Sequence, residues 1–286
     1  MQIISFLQFH FYITIVAIAV IGLIVGSFLN VVIVRYPTLL AARWRRECQE
    51  YLNLPVEPKP KFNLATPRSQ CPRCKKTLKI RHNLPLISYL TLRGRCAYCH
   101  EKISPLYPIV ELLCAILSVA IVIRYQISWQ ALAGLLLTLV LIVLFFIDLK
   151  TQLLPDAITL PTLWFGLSLS LFYMFVSPYQ AIFGAILGYG LLWITAAFYQ
   201  LIRKKEGMGR GDFKMVSMLG AWFGPGIVLN VLLLSVFLGL ITSFMLLALK
   251  KISVKQPIPF GPFIAVAGWI SLLSGPVLIH KLISYL

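Results

Sequence analysis

The chain has 286 residues, a formal net charge of +17, 59% hydrophobic residues and only 12% charged ones. That composition excludes a water-soluble globular domain and points to an all-α polytopic membrane protein. The cations cluster in loops between apolar runs, as the positive-inside rule requires of a membrane protein, so the charge argues against nucleic acid as a partner.

In chain order, the first apolar run covers about residues 11–34. It is too long for a signal-peptide core and has no basic region before it, so it reads as a retained first span. Residues 35–106 form a basic segment with an extended Pro- and Lys-containing stretch at 55–67. Further apolar runs at about 107–124, 128–147, 156–177, 179–202, 226–249 and 260–280 predict spans, since a crossing needs about 20 apolar residues. A shorter apolar stretch, 213–224, ends at Gly224-Pro225-Gly226 and reads as a short span or a re-entrant piece. Counting it gives about eight transmembrane helices and puts 24 of the 26 Lys and Arg on the cytoplasmic side. The expected organisation is a first span (1–34), a small zinc-binding cytoplasmic domain (35–106) and a membrane domain (107–286).

The zinc expectation rests on Cys71-Pro-Arg-Cys74 and Cys96-Ala-Tyr-Cys99, which are 21 residues apart. Each CxxC turn offers two thiolates from one tight loop, and two such turns make a tetrahedral four-cysteine site. A reducing cytoplasm favours metal over disulfide. Four thiolates leave no open position for water, so the zinc is expected to be structural. His82 and His100 are left out as ligands, and Cys48 and Cys114 read as unpaired.

Acids are scarce: nine Asp and Glu in all, with Asp only at 148, 156 and 212. Asp212 follows the small, flexible run Gly207-Met208-Gly209-Arg210-Gly211. An acid kept at a membrane edge is a functional-site candidate. Two carboxylates sharing a proton can hydrolyse a peptide, one activating water and the other protonating the scissile group. Asp148 and Asp212 are the expected pair, with Gly209 and Gly211 supporting the motif. The bland alternatives are helix capping by Asp148 or Asp212. A structural N-cap is the favoured reading of Asp156 after Pro155. Glu111, inside the second span, reads as a polar bundle contact or part of a second site.

Several stretches together resemble one family. Gly209-Arg-Gly211-Asp212 matches the GxGD motif of membrane aspartic proteases. The ordered set of Gly26–Pro37, the four cysteines, Asn83–Leu90, Leu92–Cys96, Tyr107–Glu111, Phe146–Asp156 and Gly207–Lys214 is similar to the bacterial type IV prepilin peptidases. The resemblance implies a bifunctional enzyme of the bacterial inner membrane. It would cut the short basic leader from type IV prepilins and pseudopilins on the cytoplasmic side. It would then N-methylate the new terminal residue with S-adenosylmethionine as methyl donor. It also implies Asp148 and Asp212 as the catalytic acids. The family often has an acid two residues after the first aspartate, where this chain has Lys150. Residues 35–106 lack a glycine fingerprint for a nucleotide-like cofactor, so methyl transfer rests on the resemblance alone. The basic face is read as contacting anionic membrane lipids, while leader recognition would fall to acids such as Glu47, Glu50, Glu57 or Glu101. The competing readings are a general GxGD intramembrane protease without methyl transfer and a proton-coupled transporter or scaffold.

Overall fold

The computed structural model describes residues 11–58, 62–82, 84–205, 207–250 and 258–275. Among them are nine α-helices and no strand, only two isolated bridges. In chain order the helices are α1 (Phe11–Tyr51), α2 (Ile87–Thr91), α3 (Leu106–Tyr125), α4 (Trp129–Thr151) and α5 (Asp156–Ser170). They continue with α6 (Pro178–Arg203), α7 (Arg210–Phe223), α8 (Pro225–Ala248) and α9 (Gly261–Ser274). Each apolar run anticipated from the sequence contains a helix, but the run expected over 156–177 is helical only to Ser170, with turns and bends over 171–176. Five of the helices, α1, α3, α4, α6 and α8, are long and apolar enough to cross a membrane. α5, α7 and α9 are shorter, with 15, 14 and 14 residues, and positions 276–280 of the last expected span lie outside the described residues.

The chain divides into two compact units, Met1–Ile127 and Ser128–Leu286. In the first, α1 does not stop at residue 34. It continues to Tyr51, 41 residues in all, or about 60 Å at 1.5 Å per residue, through an internal Pro37. The run after Arg35 is too polar to register as apolar, yet Leu, Ala, Arg and Glu there are good helix formers. α3 packs antiparallel on α1 with a register that repeats every four residues. A Cβ on Gly22 would lie 2.7 Å from Ala115 Cα, and one on Gly26 would lie 2.7 Å from Glu111 Cα. One turn further, Asn30 Nδ2 donates to the Tyr107 carbonyl at 3.0 Å. Gly22 and Gly26 form a GxxxG pattern that lets two helix backbones touch where lipid supplies no hydrophobic drive.

The second unit is built around α7. Eleven of its fourteen residues are buried, from Asp212 to Phe223. α6 runs antiparallel to it so closely that a methyl on Gly184 would overlap the Gly220 carbonyl, and one on Gly220 the Gly184 carbonyl. Ser217 Oγ donates to the Ala185 carbonyl at 2.8 Å along the same seam. On another face, Trp222 Nε1 donates to the Thr162 carbonyl of α5 at 2.9 Å, over the space left by Gly166. On a third, Gly268 of α9 receives the Leu219 side chain. The α7–α8 turn is made by Gly224 at φ 77, a backbone conformation that glycine adopts without strain.

Gly220→Ala should therefore lower stability by at least the 1–3 kcal/mol typical of overpacking, roughly, because backbone rather than a flexible side chain must move. Thermal unfolding in detergent measures this. Gly190→Ala on α6, whose Cβ would meet nothing within 4 Å, serves as the comparison and should leave the midpoint unchanged.

Candidate active site

A census of the nine acids isolates the site. Glu47 pairs with Arg43 at 2.7 Å, Glu57 with Arg45 at 3.5 Å and Glu50 with Arg46 at 3.6 Å; Glu101 pairs with Arg73, and Asp156 with Lys214 at 2.7 Å. Glu206 lies outside the described residues. The three that remain, Glu111, Asp148 and Asp212, are buried. The four glutamates expected to receive a basic leader are thus each already paired with an arginine of the chain itself.

Asp148 is in the last turn of α4, not beyond its end. Its backbone carbonyl accepts from the Gln152 amide at 2.8 Å, with Gln152 turning the chain at φ 53. Its carboxyl points inward and is 5% exposed, and Oδ2 has no hydrogen-bond partner. Asp212 is the third residue of α7, whose N-cap is Gly209 with no side-chain cap bond. It is 9% exposed and interacts electrostatically with Asp148, so α4 and α7 bring together two carboxyls 64 positions apart in sequence. Neither acid caps its helix with its side chain. Asp156 does not cap either, contrary to the sequence expectation: Pro155 occupies the N-cap position, and Asp156, one residue on, reaches across to Lys214 instead.

The glycines of the motif differ in what they accommodate. A Cβ on Gly211 would press 2.9 Å from Leu154 Cβ, and one on Gly207 2.5 Å from the Tyr199 ring, so both make room for the chain's own side chains. At Gly209 a Cβ would meet only Asp212 Oδ2, at 3.8 Å, which leaves the space in front of that carboxyl free. Gly207, Gly209 and Phe213, with Tyr189, Trp193 and Gln200 of α6, line a groove of about 380 Å³. Asp212 is not part of its lining, and Gly209, whose Cβ would lie 3.8 Å from Asp212 Oδ2, is the residue that borders both.

Sequence reasoning missed Gly261, the first residue of α9. Its backbone amide acts on the Asp148 carboxyl, and a Cβ there would sit 2.6 Å from Asp148 Oδ2 and 3.2 Å from Leu154 Cδ1. Leu154 therefore wedges between Gly211 and Gly261, with one aspartate near each glycine. The Phe260-Gly261-Pro262 triplet at a helix start was the available signal, since Pro favours the first helical turn.

In the first unit, the Sγ atoms of Cys71, Cys74, Cys96 and Cys99 all lie within 4.8 Å of one another. The two turns that carry them repeat bond for bond. Cys71 N–H donates to the Lys76 carbonyl and Lys75 N–H to the Cys71 carbonyl. Cys96 N–H donates to Glu101, and His100 N–H to Cys96, in the same way. Lys75 and His100 both adopt positive φ, 58 and 55, and bridges 70–77 and 95–102 close each turn. The Cys74 backbone amide draws the Cys71 thiol down to about 7 against the opposing effect of burial. Cys99, against the lowering effect of the Glu101 amide, is pushed up to about 11 by burial and the three neighbouring thiols, so the four share their protons as a set. This donor set fits a tetrahedral metal ion with sulfur ligands. The module is tied to the α1–α3 pair by Arg35, whose guanidinium donates to the Asn63 and Pro67 carbonyls at 2.9 and 2.8 Å. Glu111 adds a second tie by accepting from the Leu86 amide at 2.9 Å.

Taken together, the helices and the site define a polytopic membrane protein with a buried aspartate pair and an attached four-cysteine module. Residues 20–125 match the bacterial peptidase A24 N-terminal domain, and residues 135–244 match the type IV leader peptidase family. The chain is 46% identical over 257 residues to a prepilin leader peptidase/N-methyltransferase of Stutzerimonas stutzeri, covering 90% of this chain and 89% of the relative. It is 44% identical over 276 residues to the protein of that name from Pseudomonas aeruginosa, covering 96% and 95%. With the Neisseria gonorrhoeae protein of that name it shares 43% identity over 254 residues, covering 88% and 87%. No solved structure matches it. The chain belongs to the type IV leader peptidase family.

Proposed function

We propose that this chain is a membrane-embedded aspartic endopeptidase that removes the short basic leader from type IV prepilins and pseudopilins, and that it then N-methylates the new N-terminal residue. The observation that carries the peptidase reading is the Asp148 carboxyl, buried, with Oδ2 unpartnered and electrostatically coupled to Asp212. A buried polar atom without a partner is costly unless something binds there, and a water molecule suits the site. The ionised member of the pair takes a proton from that water as its oxygen attacks the scissile carbonyl. The protonated member gives its proton to the carbonyl oxygen. When the tetrahedral intermediate collapses, the C–N bond breaks as the aspartate holding the proton from water gives it to the leaving amine. The other aspartate takes a proton from a gem-diol hydroxyl, so the pair is left sharing one, as at the start. The groove beside Asp212 offers room for extended substrate backbone, since Gly209 puts no side chain in front of the carboxyl.

Eight crossings, with α5, α7 and α9 as short spans, would place Asp148 and Asp212 at the cytoplasmic face of the bacterial inner membrane. The division into a first span (1–34), a cytoplasmic module (35–106) and a membrane domain (107–286) follows from that topology. Zinc fits the module as its metal, and when bound to the four thiolates it supplies a cross-link for a segment with little core of its own. S-adenosylmethionine, when bound, supplies the methyl group.

The reading is tested by incubating purified membranes with a prepilin and weighing the product. Cleavage on the carboxyl side of a glycine, with a methyl increment on the new terminus only when S-adenosylmethionine is present, is the expected result. No cleavage rejects the peptidase, and an unmodified terminus with the donor present rejects methyl transfer alone. For the metal, one zinc per chain is expected, lost from both Cys71→Ser and Cys99→Ser. Metal analysis that finds unchanged zinc in either variant removes the four-cysteine assignment.

A further inference from the structure

Residues 58–100 contain ten Lys and Arg and no Asp or Glu, and in their midst lies an exposed apolar face. Leu84, Ile87 and Leu90 are 42%, 59% and 72% exposed. The orientation of α2 is fixed by its other side. Tyr89 packs against Gly94, where a Cβ would come within 3.0 Å of the ring hydroxyl, so Ile87 and Leu90 are left facing outward. Leu86, at the N-cap of α2, takes a left-handed backbone (φ 56) that a leucine rarely adopts. It is held there by the bond from its amide to the buried Glu111 carboxylate.

The depth of that bond identifies the partner. Glu111 is five residues into α3, a helix apolar enough to cross a membrane, so it lies about 7.5 Å along the helix from its start. A segment tethered there is at the boundary between headgroups and acyl chains. Around it, Lys79, Arg81, Arg93 and Arg95 are all exposed. An apolar face at that depth flanked by cations is the pattern of an interfacial helix on an anionic bilayer.

We infer that Leu84, Ile87 and Leu90 insert into the leaflet where α3 begins, with Lys79, Arg81, Arg93 and Arg95 on anionic phospholipid headgroups, so that the four-cysteine module is docked on the membrane surface. Glu111 is then the strut that sets the depth of the insertion. This surface is independent of peptide hydrolysis, and its test does not use cleavage as a readout.

The full chain is reconstituted in vesicles of phosphatidylcholine with or without phosphatidylglycerol, carrying the photoreactive residue benzoylphenylalanine at Ile87, at Leu90 or at Tyr51. Tyr51 is 87% exposed and about 30 Å beyond Asn30 along α1, so it serves as the comparison away from the bilayer. After illumination, adducts are identified by mass. Lipid adducts several-fold more abundant at Ile87 and Leu90 than at Tyr51 are expected. Replacing the four cations by Gln should lower that yield in vesicles containing phosphatidylglycerol and leave it unchanged in phosphatidylcholine alone. Lipid adducts no more abundant than at Tyr51 overturn the inference, as do adducts to protein alone, which would make the face a protein contact. The two reporter positions are read separately, and zinc content verifies that the module has assembled in each.

Discussion

Asp148→Asn and Asp212→Asn should each lower cleavage of a prepilin by about 10²- to 10⁴-fold, the range that one positioned proton-transfer group contributes. Each change keeps the size and shape of the side chain while removing the capacity to exchange a proton. The two effects should not add, because the carboxyls act as one unit and loss of either disables it. Asp156→Asn is the informative control. Asp156 is the third aspartate of the chain, but it is 55% exposed and ion-paired with Lys214, and such partly exposed pairs contribute at most about 1 kcal/mol. Its cleavage rate should stay within a few-fold of the parent. Full cleavage in either Asn variant at 148 or 212 would sink the pair, and a collapse at 156 would show the roles to be misassigned. Methyl transfer assayed on pilin already cleaved should persist in both Asn variants, which separates lost chemistry from lost folding.

These two carboxyls were legible in the sequence for a simple reason. In a chain with nine acids, a buried acid stands out because each must be balanced by something. The four-cysteine module was legible because its ligands come in two CxxC pairs, so local spacing already contains half of the geometry. The helices were legible as apolar runs. What could not be read depends on which surfaces meet. The extension of α1 to Tyr51 lies in polar sequence that apolar counting passes over. The pairing of Glu47, Glu50, Glu57 and Glu101 with arginines of the chain itself is visible only in the folded chain. The same holds for glycines: the motif itself does not reveal that Gly207 and Gly211 make room for Tyr199 and Leu154.

Paired arginines also change how a basic leader would be held. Each of these glutamates already has an arginine neighbour, so a substrate's cations would compete with the chain's own arginines there, whereas anionic headgroups around the module would offer them further acceptors. The enzyme's basic face and the leader would then both sit on the same lipid layer. Specificity would have to come from the groove beside Asp212 and from the aspartate pair rather than from charge pairing at a distance.

Gly261→Ala should be nearly as damaging to cleavage as the loss of an aspartate, although Gly261 carries no side chain. The new methyl would stand 2.6 Å from Asp148 Oδ2 and 3.0 Å from Cγ, so either the carboxyl or the start of α9 must shift by the better part of an ångström. A displacement of about 1 Å at a reacting group can cost about 10²-fold in rate. Retreat of α9 is resisted by its packing on α8, where the Phe263 ring lies against Gly239. The carboxyl is therefore the more easily moved partner, and kcat should fall with little change in KM, because the groove beside Asp212 is lined from α6, α7 and the loop before it rather than from α9. Gly226→Ala provides the comparison: a Cβ there meets nothing within 4 Å, and its cleavage should match the parent. Zinc content and methyl transfer to cleaved pilin should be unaffected in both. A Gly261→Ala enzyme that cleaves normally would mean that Asp148 tolerates displacement, and its buried, unpartnered oxygen would then not be the atom that positions the water.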